Sequence, residues 1–148
     1  MKGSNTSILL VEDDADDQYF ISRAFKETAV EAHLDAVSDG QSAIDFLTRI
    51  PPAKNKSSSA GPRLILLDLN LPRKSGLEVL KWIRSNAERS VVVIVLTSST
   101  SEDDMRQAYA GGANAYVIKP TDPTLLHEFA QLVRDFWLHW NNLPALAN

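Results

Sequence analysis

The chain has 148 residues, of which 44% are hydrophobic and 23% are charged, and it contains no cysteine. This length suits one domain with a substantial core and leaves no room for two full domains. The lack of cysteine excludes disulfides and thiolate metal sites, and the formal net charge of -4 argues against a nucleic-acid-binding surface.

Short apolar runs recur along the chain and end abruptly in polar residues. The first run covers residues 8–11, is hydrophobic at every position and ends in Glu12-Asp13-Asp14. Runs without polar alternation are typical of strands that are covered on both faces, as in parallel sheets. Further strands are predicted at residues 34–37, 64–67, 91–96 and 115–118.

Between these runs the hydrophobic residues recur every three or four positions, which predicts amphipathic helices. Ser101, with Asp104 three residues later, indicates a helix start, and Gly111-Gly112 indicates its end. The breaker-rich segment 51–61 is expected to be a surface loop insertion. The predicted helices cover residues 16–28, 41–50, 75–86, 101–110 and the segment from 122 onward.

Alternating strands and helices build a parallel sheet with helices on both faces. In such sheets the ligand crevice lies outside the carboxyl ends of the strands. The residues that follow the apolar runs should therefore meet at one edge. They are Glu12, Asp13, Asp68, Thr97 and Lys119.

Three carboxylates in one crevice need a counter-charge. Two unit charges about 4 Å apart repel by about 4 kcal/mol at an effective dielectric near 20. A hard dication such as Mg2+, which prefers carboxylate, water and phosphate oxygens, removes that cost. A lysine and a threonine at the same edge add a cation and a hydroxyl donor, so the set predicts a phosphoryl group held on a metal. Taken singly, each of these residues also fits a solvated turn or a helix cap.

Four motifs follow one another along the chain. They are Leu9-Leu10-Val11-Glu12-Asp13-Asp14, Leu66-Leu67-Asp68-Leu69-Asn70-Leu71-Pro72 with Gly76, Leu96-Thr97-Ser98, and Tyr116-Val117-Ile118-Lys119-Pro120. In this order they resemble the receiver domain of two-component response regulators. The resemblance spans residues 7–137 approximately and implies a flavodoxin-like, doubly wound fold with a five-stranded parallel sheet of order 2-1-3-4-5.

The resemblance implies that Asp68 accepts a phosphoryl group from a histidine kinase and forms an acyl phosphate. It also implies that Asp13, Asp68 and the backbone carbonyl of Asn70 bind Mg2+, with Glu12 acting through a bound water. Asn70 and Ser99 match the positions that tune how fast water removes the phosphoryl group.

By the same resemblance, Lys119 pairs with a phosphoryl oxygen and Thr97 donates its hydroxyl to another. The Lys119–Pro120 peptide bond is expected to be cis, although trans is the default for such bonds. Thr97 and Tyr116 match the pair that moves when the family switches, so helix 4, strand 5 and helix 5 should form the responsive face.

The last helix carries many aromatic residues. Its apolar stripe consists of Leu125, Phe129, Leu132, Val133, Phe136 and Trp140. Phe129 and Phe136 fit the core, whereas Trp137 and Trp140 extend past the usual end of a receiver. Exposed tryptophans favour interfaces, so Phe136, Trp137 and Trp140 are candidates for a homodimer contact, together with the helix 4, strand 5 and helix 5 face. This tail and the loop insertion resemble small stand-alone regulators paired with phytochrome-type histidine kinases.

The expected organisation is a single receiver domain over residues 1–148, with a core at about 7–137, the insertion at 51–61 and an extension at 138–148. No stretch is left for an output domain, so the expected output is the receiver's own surface. No apolar run is long enough to span a membrane and the first residues lack the features of a secretory signal, so we expect a cytoplasmic protein.

Two alternatives remain at this point. A phosphatase of the haloacid dehalogenase type also places an aspartate after a strand, but it needs a second aspartate where this chain has Asn70. A receiver-fold interaction module that works without phosphorylation is the more serious alternative, although such modules usually lose the acceptor, the lysine or the acids.

Overall fold

The computed structural model describes residues 6–28, 32–50, 61–86 and 91–142. Its centre is a five-stranded, fully parallel sheet of order β2-β1-β3-β4-β5, as predicted. The strands are β1 (Thr6–Val11), β2 (Ala32–Val37), β3 (Leu64–Leu67), β4 (Val92–Thr97) and β5 (Ala115–Ile118). The helices are α1 (Ala15–Thr28), α2 (Gly40–Thr48), α3 (Gly76–Ser85), α4 (Glu102–Ala110) and α5 (Pro123–Leu132), which continues into a π-helical segment at Val133–Trp140.

The hydrophobic strands divide their side chains between two cores, because successive residues of a strand point to opposite faces. Leu9 and Ile65 lie in the core that α2, α3 and α4 cover. Leu10 and Leu66 lie in the core beneath α1 and α5. Every residue of β3 and β4 is buried, which explains why these strands have no polar alternation.

Polar side chains fix where the helices begin. The side chain of Asp39 accepts a hydrogen bond from the Ser42 N–H at the start of α2. Ser75 and Glu78 form a reciprocal capping box at the start of α3. Ser101 caps α4, which confirms the predicted helix start.

The end of the last helix differs from the prediction. Beyond Leu132 the hydrogen bonds run to the fifth preceding residue, as from Asn141 N–H to the Phe136 carbonyl at 2.6 Å. This wider winding breaks the 3.6-residue period on which the predicted stripe relied. Phe136 and Trp140 are therefore exposed, whereas Val133 is buried and Trp137 packs against the α1–α5 core. Leu125 and Leu132, which lie in the regular part of α5, are exposed as well.

Two predicted features fall largely outside the described residues. Residues 51–60 of the loop insertion and residues 143–148 of the tail are not among them. Within the parts of the chain that are described, no helix has the length and hydrophobicity that crossing a bilayer requires.

Candidate functional site

The predicted site residues meet at the carboxyl edge of the sheet. Glu12 and Asp13 follow β1, Asp68 follows β3, Thr97 ends β4 and Lys119 follows β5. Because all five strands are parallel, these ends open on one side. The sheet therefore brings acids, a hydroxyl and an ammonium group from four separate segments into one crevice.

Lys119 is the centre of this crevice. Its ammonium group lies 2.7 Å from Glu12 Oε1, 3.0 Å from Asp17 Oδ2 and 3.3 Å from Asp68 Oδ2. The Lys119 side chain is only 12% exposed. The backbone places it there, since the Lys119 N–H donates to the Thr97 carbonyl at 2.7 Å and so extends the ladder between β4 and β5.

Asp68 lies in a loop that the surrounding backbone holds tightly. Its N–H donates to the Val11 carbonyl at 3.1 Å, and its Oδ1 accepts a hydrogen bond from the Asn70 N–H at 3.2 Å. The next helix packs directly on this loop, because a Cβ added at Gly76 would lie 2.2 Å from the Asp68 carbonyl oxygen. Only glycine permits this approach, which holds the backbone that carries the Asp68 carboxylate against the start of α3.

Three carboxylates face one another beside the ammonium group. Oxygen atoms of Glu12, Asp13 and Asp68 all lie within 4.8 Å of one another. Glu12 Oε2 accepts a hydrogen bond from the Asp14 N–H at 3.1 Å. Glu12 Oε1 is buried and, within the described residues, has the Lys119 ion pair but no hydrogen bond of regular geometry. An oxygen-rich set with an incompletely satisfied buried atom suits a hard divalent cation.

Burial and charge shift the two central pKa values. Burial raises the pKa of Glu12, and contacts with Lys119 and the Asp14 N–H only partly offset this effect. Burial alone would lower the pKa of Lys119. The contacts with Glu12 and Asp17 and the negative charge of Asp68 outweigh this effect, so the pKa of Lys119 lies above its usual value. The ammonium group therefore stays charged, whereas the Glu12 carboxylate is held at a cost in stability.

Comparison with known proteins agrees with this geometry. The family model of the response regulator receiver domain matches residues 8–131. The chain belongs to the response regulator receiver family. It is thus a signalling protein of two-component systems, whose receiver domains work with histidine kinases.

Three proteins illustrate the similarity. The chain is 40% identical to the probable methanogenesis regulatory protein FilR2 of Methanothrix harundinacea, over 95% of this chain and 88% of FilR2. It is 38% identical to the response regulator Rcp1 of Synechocystis sp., over 93% of this chain and 92% of Rcp1. The Mn2+-bound crystal structure of Rcp1 matches with a TM-score of 0.80, covering 95% of this chain and 99% of that chain at 37% identity. The phosphorylated cyanobacterial phytochrome response regulator RcpA matches with a TM-score of 0.83, covering 95% of this chain and 99% of that chain at 35% identity.

The two predicted switch residues of this receiver meet through one loop residue. Thr97 is buried, and its hydroxyl oxygen accepts a long hydrogen bond of 3.4 Å from the Ser99 N–H. The half-buried Tyr116 donates its hydroxyl to the Ser99 carbonyl at 3.0 Å. The Ser99 hydroxyl in turn donates to Asp104 in the first turn of α4 at 2.5 Å. The loop after β4 therefore connects β5 and α4.

Two details of the sequence-based expectation change. The Lys119–Pro120 peptide bond is trans, so the expectation of a cis bond is wrong here. With the trans bond the Lys119 side chain reaches Glu12 and Asp68. At Asn70 the observed contact to Asp68 is made by the backbone N–H, and the role of the Asn70 carbonyl stays a prediction.

Sequence reasoning missed Asp17 as a site residue. It lies in the first turn of α1 and reaches Lys119, a residue that is 102 positions away in the sequence. The available signal was its place one turn into the helix that starts beside Glu12 and Asp13. An acid in the first turn of a helix is also a common stabilising feature of the helix start. This ordinary role accounts for Asp17 without its contact to Lys119, so the sequence alone does not single it out.

Replacing Glu12 with Gln should stabilise the protein when divalent cations are removed. The folded state holds the Glu12 proton more tightly than the unfolded chain, so this carboxyl group contributes stability below its ordinary pKa of 4.5 and loses it as the pH rises through the raised value. The variant retains two acids around Lys119 and loses one buried charge. We expect a gain of about 1 kcal/mol at pH 7 in EDTA, which shrinks towards acidic pH.

The measurement is urea unfolding of the parent and the variant from pH 4 to pH 8. Glu128→Gln, which removes an exposed acid of α5, is the matched control and should leave the stability unchanged within error. A Glu12→Gln protein that is less stable than the parent at pH 7 in EDTA would contradict the electrostatic account.

Proposed function

We propose that this chain is a stand-alone response regulator that accepts a phosphoryl group from a histidine kinase on Asp68 in a Mg2+-dependent reaction. The observation that carries the proposal is the position of the Asp68 carboxylate. It is almost buried at the end of β3, with a lysine ammonium group 3.3 Å from Oδ2 and two further carboxylates beside it. The similarity to RcpA, whose structure is phosphorylated, supports the same chemistry.

In the transfer step an Asp68 carboxylate oxygen forms a bond to phosphorus. The bond between phosphorus and the imidazole nitrogen of the donor histidine breaks, and its electron pair stays on that nitrogen. Because the reaction moves a charged group between two sites, the receiver contributes mainly position and charge stabilisation. Gly76 and the backbone contacts of Asp68 supply the position.

The charge stabilisation comes from groups at the ends of four strands. Lys119 pairs with one oxygen of the transferred group, and the buried Thr97 donates its hydroxyl to another. Asp13, Asp68 and the Asn70 carbonyl would hold Mg2+, with Glu12 acting through water. When bound, the ion neutralises the negative charge that the phosphoryl group adds to the acid cluster. Slow hydrolysis of the acyl phosphate, influenced by Asn70 and Ser99, would reset the protein.

The output is proposed to be the receiver's own surface. The network of Thr97, Ser99 and Tyr116 connects the site to α4 and β5, the face expected to respond to phosphorylation. A homodimer through α4, β5, α5 and the π-helical segment would use the exposed Phe136 and Trp140. A phytochrome-type kinase is the proposed partner, because RcpA is a phytochrome response regulator. A cytoplasmic location stays a prediction.

Phosphorylation should depend on Asp68 alone. Incubated with acetyl phosphate and Mg2+, the parent chain should gain the mass of one phosphoryl group, and Asp68→Asn should gain none. Asp45→Asn, which changes an exposed acid of α2 in the same way, should behave like the parent. Intact-mass spectrometry checks all three proteins, and an undiminished adduct on Asp68→Asn would rule Asp68 out as the acceptor.

Mg2+ should raise the melting temperature of the parent, since the ion binds only the assembled site. At ten times the Kd the stabilisation is about 1.4 kcal/mol, which corresponds to a shift of about 4 °C. Asp13→Ala should abolish the shift, because it removes one of the three clustered carboxylates. Asp16→Ala, which removes a nearby exposed acid, should retain it. A full shift in Asp13→Ala, measured by calorimetry, would refute the metal assignment.

The dimer should depend on the two exposed aromatic residues of the last segment. Phe136 is 49% exposed and Trp140 is 72% exposed, whereas Trp137 packs partly against the core. Sedimentation velocity should give a dimer for the parent and a monomer for the double variant Phe136→Ser with Trp140→Ser. The exposed edge-to-face pair Tyr19 and Phe20 of α1 offers a control, since changing both to Ser should leave the dimer intact. A monomeric parent would end the dimer proposal.

A further inference from the structure

Three carboxylates surround the Lys119 ammonium group. It donates hydrogen bonds to Asp17 and Asp68 at 3.0 and 3.3 Å, and Glu12 lies 2.7 Å from Nζ as an ion pair. A phosphoryl oxygen on Asp68 competes with these partners for the same ammonium group. One existing contact must therefore weaken when the ammonium group turns towards the phosphoryl group.

Burial decides which contact is the cheapest to give up. The Glu12 side chain is 1% exposed, so water cannot easily replace the lysine at its carboxylate. At Asp68 the phosphoryl group itself takes over the negative charge of the carboxylate and keeps the ammonium group there. The Asp17 side chain is 41% exposed. A carboxylate that is open to solvent exchanges an ion pair for water at a small cost, whereas a buried one does not.

The surroundings of Asp17 allow this exchange. Asp17 and Lys119 lie on the wall of a groove of about 560 Å³ between α1 and the loop that leads into α5. Water in this groove can hydrate the released carboxylate. The ammonium group, by contrast, stays beside Glu12 on the inner side of the crevice.

We infer that Asp17 is a positioning residue that competes with the phosphoryl group for the Lys119 ammonium. Without phosphorylation Asp17 accepts a hydrogen bond from Lys119 and ties α1 to the end of β5. Once Asp68 carries a phosphoryl group, this hydrogen bond passes to a phosphoryl oxygen and the Asp17 carboxylate becomes hydrated. Asp17 thereby weakens the phosphorylated state relative to the unphosphorylated one. The inference rests on the proposed function, since it concerns the same phosphoryl site.

The test uses beryllofluoride, a phosphoryl mimic that binds an aspartate carboxylate, at saturating Mg2+. Asp17→Asn keeps the shape of the side chain and removes the competing charge. We expect its affinity for beryllofluoride to rise about twofold to fivefold above that of the parent, the range for a partly exposed ion pair. The melting temperature of the metal-free variant should not rise, because an ion pair of the unphosphorylated state is lost.

The opposite directions of these two readouts separate positioning from a merely structural role. If Asp17 only stabilised the fold, its replacement would lower the affinity and the melting temperature together. Asp16→Asn makes the same charge change on the adjacent residue, which is exposed, and should leave the affinity within about 1.5-fold of the parent. Asp17→Glu restores a carboxylate and should move the affinity back towards the parent value.

The outcomes distinguish this inference from the proposed function. A parent chain that binds no beryllofluoride with Mg2+ would refute the proposed phosphoryl site. A parent that binds, with Asp17→Asn unchanged or weaker, would refute the role of Asp17 alone. An equal gain in Asp16→Asn would assign the effect to general electrostatics and would likewise overturn the inference.

Discussion

The charge of Lys119 is the feature on which the rest of the site depends. A parallel sheet brings the carboxyl ends of its strands to one edge, and in this chain β1 and β3 both end in acids. Glu12 and Asp68 are nearly buried there, where unpaired carboxylates are costly. The Lys119 ammonium group contacts both carboxylates. The residue that follows β5 therefore offsets the repulsion between the acids that follow β1 and β3.

This arrangement makes the crevice sensitive to any change of charge at Asp68. Tyr116 lies in β5 and Lys119 directly follows this strand, and the Lys119 N–H donates a hydrogen bond to the Thr97 carbonyl at the end of β4. In the loop after Thr97, the Ser99 carbonyl accepts a hydrogen bond from the Tyr116 hydroxyl. The ammonium-bearing residue of the site and Tyr116 are therefore three residues apart in the chain. A shift of the lysine and a shift of the loop act on the same short segment of backbone.

The sequence predicted the parts that local pattern determines. Residues 64–67 and 91–96 are apolar without interruption, so their strands and the residues that follow them could be located, and Asp68, Thr97 and Lys119 lie where the pattern indicated. The contact between Asp17 and Lys119 could not be read this way, because it depends on how α1 packs against the end of β5. The exposure of Phe136 was missed for a different reason: a 3.6-residue period was assumed where the chain is π-helical.

The layer formed by α1 and α5 connects the site to the aromatic end of the chain. At one end of α1, Asp17 pairs with Lys119 just before α5. At the other end, the Arg134 guanidinium donates to the Thr28 carbonyl at 2.8 Å just after α5. Between them the rings of Phe25 and Phe129 pack edge to face with centroids 6.1 Å apart. The buried residues Ile21 and Ala24 of α1 and Leu126 and Ala130 of α5 belong to the same core. The two helices therefore share an apolar interface that has an ion pair at the site and a polar contact at the π-helical segment. Because the apolar interface does not depend on charge, it holds the π-helical segment against α1 whatever the charge state of the site.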